Sequence, residues 1–386
     1  MKKGYSLNYS GSMHDRHLHI VSFTVPYPPN YGGVIDVYCK LMALHNQGIK
    51  IHLHCFEYDR QHANELDKFC ESVHYYKRKT GLRSTLSSTP YIVISRRSEQ
   101  LISNLSKDDY PVLFEGLHTC YYLNDPRLSG KVKIYRESNI EHHYYYNLCR
   151  AEKNLFKKLY FLTASIKLKR YEKVLKFADL MLAVSAKDKE YLQDKFTGIP
   201  VYHLPSFHFN NEVSIKPGRG NYCLYHGNLS VAENSVAAAF LIREVFDDIG
   251  LDLKIAGLNP PEYLKKLARV SKHVEIIENP SAEEMNRLIE QAHINVLVTF
   301  QATGLKLKLL NTLFTGRFLL VNSAMLNGTG LNELCEIADT PVELKAVLTR
   351  LKEKEFEEPE ILHRRKVLAR LYSNRLNADR LIEYVF

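Results

Sequence analysis

The sequence predicts a two-domain α/β protein, and three observations carry that expectation. A buried-strand run, a glycine turn, a helix-period run and a second strand follow one another within about 40 residues, the order of a βαβ unit. A second stretch, beginning near residue 221, repeats the plan. The 386 residues are enough for two domains of ordinary size.

The first unit opens with Leu18 to Phe23, a buried-strand pattern. Pro26-Tyr27-Pro28-Pro29-Asn30-Tyr31-Gly32-Gly33 follows as a rigid turn. Val34, Val37, Tyr38, Leu41 and Leu44 then recur at helical spacing, Gly48 closes the helix, and Ile49 to Phe56 reads as a second strand. Further strands are expected at 111–115, 131–136 and 180–185, with a lysine-rich helical region at 151–178. Residues 206–220, with Asn210, Asn211, Pro217, Gly218 and Gly220, read as an interdomain linker after a domain at 17–205. Residues 1–16 read as a polar extension.

In the second unit, at 221–360, strands are expected at 222–226, 253–256, 274–277, 294–299 and 318–322, and helices at 233–246 and 281–291. A last helix over about 361–384 has no strand after it and is expected to pack back on the first domain.

Composition narrows the function classes. Hydrophobic residues make up 45% of the chain, enough for ordinary cores. Seven scattered cysteines with no CxxC pair suggest reduced thiols, not a disulfide framework or a zinc site. No apolar run of about 18 residues predicts a membrane span, and no apolar stretch follows Lys2 and Lys3 as in a signal peptide. A cytoplasmic protein is expected. The net charge of +9 is uneven: residues 1–205 carry 30 Lys/Arg against 20 Asp/Glu, the rest 22 against 23. The first half is thus suited to an acidic partner, a membrane surface, a phosphorylated acceptor or nucleic acid, or to a solvated basic face. Basic residues in 153–176, interleaved with Phe156, Leu159, Tyr160, Phe161 and Leu162, fit peripheral contact with anionic lipid. No nucleic-acid motif is present, and no nucleic-acid partner is expected.

Three places carry chemistry. Gly32 and Gly33 open a helix, whose free N–H groups and partial positive charge suit a phosphate or an acceptor oxygen; a plain strand–helix turn would look the same. Gly304 opens a second candidate helix, with Lys306, Lys308 and Asn311 in its first turns. Lys308 and Asn311 share a face, Leu305, Leu309 and Leu313 another, so a pyrophosphate and ribose hydroxyls could bind there. Glu115 and His118 follow one predicted strand, and Arg136, Glu137, Asn139, Glu141 and His142 end or follow another. Carboxylates and imidazoles at the carboxyl ends of parallel strands are active-site candidates. No Asp-x-Asp triplet and no His/Cys cluster occur, so no metal is expected.

Pro26–Gly33, then Tyr225-His226-Gly227-Asn228-Leu229-Ser230, then Thr303–Gly316 with Phe318–Asn322 resemble the first loop, the second-domain opening and the donor-binding helix and strand of the GT-B glycosyltransferases, within them family 4. The resemblance spans nearly the whole chain. It implies an α/β fold of two Rossmann-like domains facing across a cleft. It also implies sugar transfer, with retention, from a nucleoside-diphosphate sugar to a saccharide or lipid-linked acceptor in polysaccharide biosynthesis. The donor would lie on the second domain at Gly227, Asn228, Gly304, Lys306, Lys308 and Asn311. The acceptor would lie on the first, near Gly32, Gly33, Arg136 and Asn139. His118 and Glu115 would orient hydroxyls, and Lys308 would stabilise the leaving diphosphate. The chain departs from the family where its Glu-x7-Glu carboxylates fall on Thr303 and Asn311, and where its usual Arg and Lys fall on Asn228 and Glu233. An inactive sugar-nucleotide-binding homologue and a GT-B epimerase are the alternatives.

Overall fold

The computed structural model describes residues 15–81, 87–152, 154–300 and 307–386. Most of the expected polar extension, and Gly304, Leu305 and Lys306, lie outside the described residues. The chain divides into two compact units, Met1–Phe209 with Tyr372–Phe386, and Asn210–Leu371.

The first unit runs β1 (His17–Val21), α1 (Gly32–Asn46), β2 (Lys50–Glu57), β3 (Ser72–Lys77), α2 (Glu99–Leu105), β4 (Val112–Glu115), β5 (Lys133–Arg136), α3 (Glu141–Ala151), α4 (Leu155–Tyr171), β6 (Leu180–Ala183), α5 (Ala186–Lys195) and β7 (Val201–His203). The seven strands form one sheet, ordered β3-β2-β1-β4-β5-β6-β7, with neighbouring strands parallel. Successive strand residues bury opposite faces: Val21, Phe114, Tyr135 and Met181 enter one core, Ile20, Leu113, Ile134 and Leu182 the other.

The second unit runs β8 (Cys223–His226), α6 (Ala232–Phe240), β9 (Leu253–Gly257), α7 (Glu262–Arg269), β10 (Val274–Glu278), α8 (Ala282–Gln291), β11 (Ile294–Leu297), α9 (Leu307–Thr315), β12 (Phe318–Val321), β13 (Glu336–Ile337), α10 (Pro341–Leu351) and α11 (Glu358–Tyr372). Its parallel sheet is ordered β10-β9-β8-β11-β12-β13. The terminal helix α12 (Asn374–Val385) places Ala378, Leu381 and Val385 in the first unit's core with Leu41 and Leu44 of α1.

The structure differs from the sequence expectation in several elements. The helical region at 151–178 is the end of α3, then α4, then a 3-10 turn, Glu172–Phe177. The helix at 233–246 is α6 followed by a π turn, Leu241–Val245. The single last helix is two, because the Ser373 hydroxyl accepts from Leu376 N and starts α12 afresh. β3, β7 and β13 lack a buried run: β3 is a mostly half-buried edge strand, and the other two have three residues or fewer. The polar stretch 206–220 is packed. Phe207 N donates to Asp36 (2.6 Å), Ser214 N to Phe314 O (2.9 Å), and Gly218 pairs with Phe356.

β1, β2 and β3 carry five histidines, linked in two chains of hydrogen bonds. In the more buried chain, His19 Nε2 meets Asp108 (3.0 Å), His19 Nδ1 meets His54 Nε2 (2.9 Å), His54 Nδ1 meets the Tyr76 hydroxyl (2.8 Å), and Asn104 Nδ2 donates to that hydroxyl (2.9 Å). One assignment of protons satisfies every link: His19 donates to Asp108, His54 to His19, and Tyr76 to His54. In that assignment both imidazoles are neutral. In the outer chain, His17 Nδ1 meets His52 Nε2, and His52 Nδ1 meets Ser72 Oγ, each at 2.9 Å.

Burial, opposed by Asp108, takes the His19 pKa down to about 4, and burial with the neighbouring His19, His74 and His52 takes that of His54 well below its ordinary value. These groups are depressed in the folded state, so the unfolded chain takes up protons first as the pH falls from 6.5 towards 4. Stability is therefore present above 6.5 and lost below it. His19 alone is expected to remove roughly 2 kcal/mol at pH 5, lowering the melting temperature by about 4–8 °C relative to pH 7.5. His19→Gln should flatten that dependence. Melting curves across this range check it, and a parent as stable at pH 5 as at 7.5 would contradict it.

Candidate functional site

In each unit the strand order runs outward in both directions from its first strand. The winding reverses between β1 and β4 in the first sheet and between β8 and β11 in the second. Above the carboxyl ends of strands at such a point, the flanking connections diverge to opposite faces and leave a crevice.

In the first unit this edge holds Phe23, Gly116, His118, Arg96 and Glu141. The Tyr31–Gly33 loop leads into α1, whose N-cap residue, Tyr31, makes no side-chain cap bond to the helix. A Cβ on Gly33 would come within 3.0 Å of Phe23 Cζ, so the loop seats closely on that ring. Arg60 pins the loop through Pro28 O (2.6 Å) and Asn30. Gly116 has φ +74°, a turn that favours glycine, and a Cβ there would lie 3.1 Å from His118 Nδ1. That nitrogen has no hydrogen-bond partner among the described residues; Glu141 Oε1 lies 3.7 Å away. Arg96 Nε donates to Phe23 O (2.7 Å). Burial, reinforced by Arg96 and Arg78, keeps His118 neutral. Burial, opposed by Arg96, raises the Glu141 pKa to about 8. A neutral imidazole thus stands beside a carboxyl group that is largely protonated at neutral pH, a pairing suited to passing a proton or orienting a hydroxyl.

In the second unit the corresponding edge holds Tyr225, His226, Gly227, Asn234, Thr299, Lys308 and Thr312. Lys308 Nζ donates to Asn234 Oδ1 (3.0 Å) and sits 5.2 Å from the centre of the Tyr225 ring. Asn234 Nδ2 donates to Asn228 O (2.9 Å), and the Tyr225 hydroxyl to Asn234 O (3.1 Å). His226 Nε2 meets the Thr312 hydroxyl at 2.9 Å. Burial and then Lys308 lower the His226 pKa to about 3. Asn322 holds the strand end by bonding both Thr299 N (3.1 Å) and Thr299 O (2.7 Å), and the Thr299 hydroxyl donates to Glu233. A Cβ on Gly257 would overlap Gly227 O, so the ends of β8 and β9 require a residue without a side chain there.

The residues singled out in the sequence separate accordingly. Gly32, Gly33 and His118 stand at the first edge, and Gly227, Asn228 and Lys308 at the second. Asn311 Nδ2 donates to Asn286 (3.3 Å), and Asn139 is half-buried between β5 and α3. Asn228 is exposed and closes its own turn by accepting from Ser230 N and Oγ. Leu309 and Leu313 are buried.

Glu115 and Arg136 require correction. Both belong to a buried quartet of two cations and two anions. Lys40 Nζ lies 2.6 Å from Glu115 Oε1 and 3.4 Å from Asp36 Oδ2. Arg136 donates to Asp36 (3.2 Å), Leu204 O (2.7 Å) and Pro205 O (3.3 Å). Burial disfavours ionised Asp36, but Arg136 and Lys40 outweigh it and hold that carboxyl below its ordinary range. Glu115 therefore does not accompany His118; Glu141 does. The sequence reading missed Arg96 and Lys40. Their available signal was a charge next to an apolar run, Arg96 after Tyr91–Ile94 and Lys40 within the α1 pattern.

No protein-family model matches the chain. It is 28% identical over 330 residues, 81% of its length and 84% of the other's, to an uncharacterized 44.6 kDa protein in the cps region of Klebsiella pneumoniae. Among solved structures it is similar to HepE of Anabaena in complex with UDP and glucose, with a TM-score of 0.63, 9% identity, and coverage of 96% of this chain and 99% of that one. A glycosyltransferase from Rickettsia africae gives 0.63 at 10% identity, with 96% and 97% covered. A trehalose-6-phosphate structure from E. coli bound with UDP-2-fluoro glucose gives 0.61 at 10%, with 96% and 98% covered. At these identities the likeness establishes the fold: α/β, two Rossmann-like units, of the GT-B type.

The quartet gives a stability test. Lys40→Met leaves one cation for two buried carboxylates and is expected to cost about 3–5 kcal/mol. Adding Glu115→Met removes the surplus charge and should recover most of that loss. Urea unfolding of the two variants decides; a double variant no more stable than the single one would show that the pairing is not the cause.

Proposed function

We propose that this chain is a glycosyltransferase. The sugar would move from a nucleoside-diphosphate sugar to a hydroxyl of a saccharide or lipid-linked acceptor, with retention and without a metal. The observation that carries this reading is Lys308: an ammonium fixed by Asn234 over the Tyr225 ring, at the carboxyl edge where the second sheet reverses. The whole-chain likeness to structures named for UDP, UDP-2-fluoro glucose and glucose supports it. The relative in a cps region supports a place in polysaccharide biosynthesis.

In this reading the second unit holds the donor. The bond between the anomeric carbon and the diphosphate oxygen breaks, its electron pair stays on the diphosphate, and the acceptor oxygen takes the carbon. Negative charge grows on the leaving group, where Lys308 is worth more in the transition state than in the ground state. The first unit holds the acceptor. His118, kept neutral, can orient or accept the hydroxyl proton, and Glu141 can set its orientation. Among the described residues no group of three His, Cys, Asp or Glu side chains is placed to hold a metal ion. Lys308 is proposed to balance the diphosphate charge.

Thermal-shift titration with UDP-, GDP- and ADP-sugars should identify a donor through a raised melting temperature. With that donor, Lys308→Ala is expected to lower kcat/KM about 100-fold or more, the loss of one strong transition-state contact of roughly 3 kcal/mol. Asn311→Ala should mainly weaken donor binding. A folded Lys308→Ala protein with normal turnover would remove the phosphate assignment. Turnover is also expected to survive EDTA; its loss on chelation and return with Mg²⁺ or Mn²⁺ would overturn the metal-independent reading.

A further inference from the structure

Helix α4 turns an apolar stripe to water. Its inward face is set by Phe161, which meets Tyr145 of α3 edge-on (6.1 Å), by Ser165, whose hydroxyl donates to His142 O (2.8 Å), and by Leu168 in the core. Leu155, Leu159, Leu162 and Ile166 follow spacings of four, three and four, so they fall within about 60° of one another on a helix, away from that inward face. They are 78%, 60%, 38% and 45% exposed, and Phe156 beside them is 87% exposed. Among the described residues, none of these side chains belongs to or packs against the first unit's core clusters.

The charges on the same helix are of one sign. It carries Lys157, Lys158, Lys167, Lys169 and Arg170 and no acidic residue. Helical geometry puts Lys158 and Lys169 along one edge of the stripe and Arg170 along the other. The acidic residues flanking the helix are engaged: Glu152 accepts from Asn154 N (2.9 Å), and Glu172 pairs with Lys195.

We propose that α4 is a docking surface for anionic lipid. The stripe would enter the boundary between headgroups and acyl chains, and the flanking cations would meet headgroup phosphates. An apolar line edged by cations fits that interface, because burial and charge attraction act together there. A second copy of this chain is a poorer occupant, since two such helices would bring like charges together. The surface is independent of the glycosyl-transfer reading: sugar transfer needs no membrane contact, and docking needs no transfer.

The test is co-sedimentation of the full chain with vesicles of phosphatidylcholine alone and of phosphatidylcholine mixed with phosphatidylglycerol. Binding is expected to the mixed vesicles only, weakening as salt rises. Leu159→Glu with Leu162→Glu should abolish it. Lys158→Ala with Lys169→Ala should weaken it roughly 25-fold, about fivefold for each cation removed. All four positions are on the exposed side of the helix, so both variants should melt with the parent, which separates lost docking from lost folding. Equal binding to both vesicles, no binding, or undiminished binding of the Leu159/Leu162 variant would overturn the proposal. So would capture of the chain by polyglutamate without vesicle binding, which would assign the surface to an acidic protein, and so would a shift to a dimer with the stripe covered.

Discussion

Parallel strands joined by helices can be wound outward in two directions from a starting strand, and where the two windings meet the connections part. Both units obey this constraint at their first strand, β1 beside β4 and β8 beside β11. The arrangement dictates what each carboxyl edge can offer. A residue just past β1 or β8 borders a gap, whereas one on the strand itself is enclosed by helices on both faces. Glu115, the last residue of β4, is packed under α1, and His118, three positions later, has reached the edge. The difference between a core ion pair and a candidate site residue is here one turn of chain.

The two edges manage charge differently. In the first unit the strand ends carry full charges that cancel within the core. Asp36, Lys40, Glu115 and Arg136 form a closed set whose geometry ties α1 to β4, β5 and the segment at 204–207. Such a set costs desolvation, and its value lies in fixing one arrangement of these elements. Above it, burial leaves His118 neutral and Glu141 largely protonated, so the edge is polar with the Arg96 and Arg78 guanidinium groups nearby. In the second unit the small residues Gly227 and Gly257 let β8 and β9 approach, and Asn234 and Asn322 supply neutral bonds. Lys308 then stands beside the Asn234 amide and the Tyr225 ring, near the His226 imidazole, whose pKa it helps to lower.

The fold was legible because parallel strands buried on both faces read as continuous apolar runs, and each run here ends at a glycine or a polar residue. Val112 to Phe114, Leu180 to Ala183 and Phe318 to Val321 are of that kind. β3, Ser72–Lys77, was not: its histidine and tyrosines pack against neighbouring strands through rings and hydrogen bonds, which leave no apolar period. The site was legible only in part. Proximity in sequence suggested that Glu115 serves His118, but a strand residue and a loop residue three positions apart face different surroundings. Glu141 reaches His118 from the start of another helix, and Arg96 from a segment with no repeating pattern. These are long-range contacts, which neither spacing nor composition encodes.

Inside the first unit, burial keeps His19 and His54 neutral, and the charges of the quartet pair with one another. Helix α4 alone supplies five cations without an acidic residue. A field of that origin acts outside the sheet's edge. It bears on what the unit approaches, whereas the chemistry at the edge depends on the neutral, buried groups that the sheet's winding leaves uncovered.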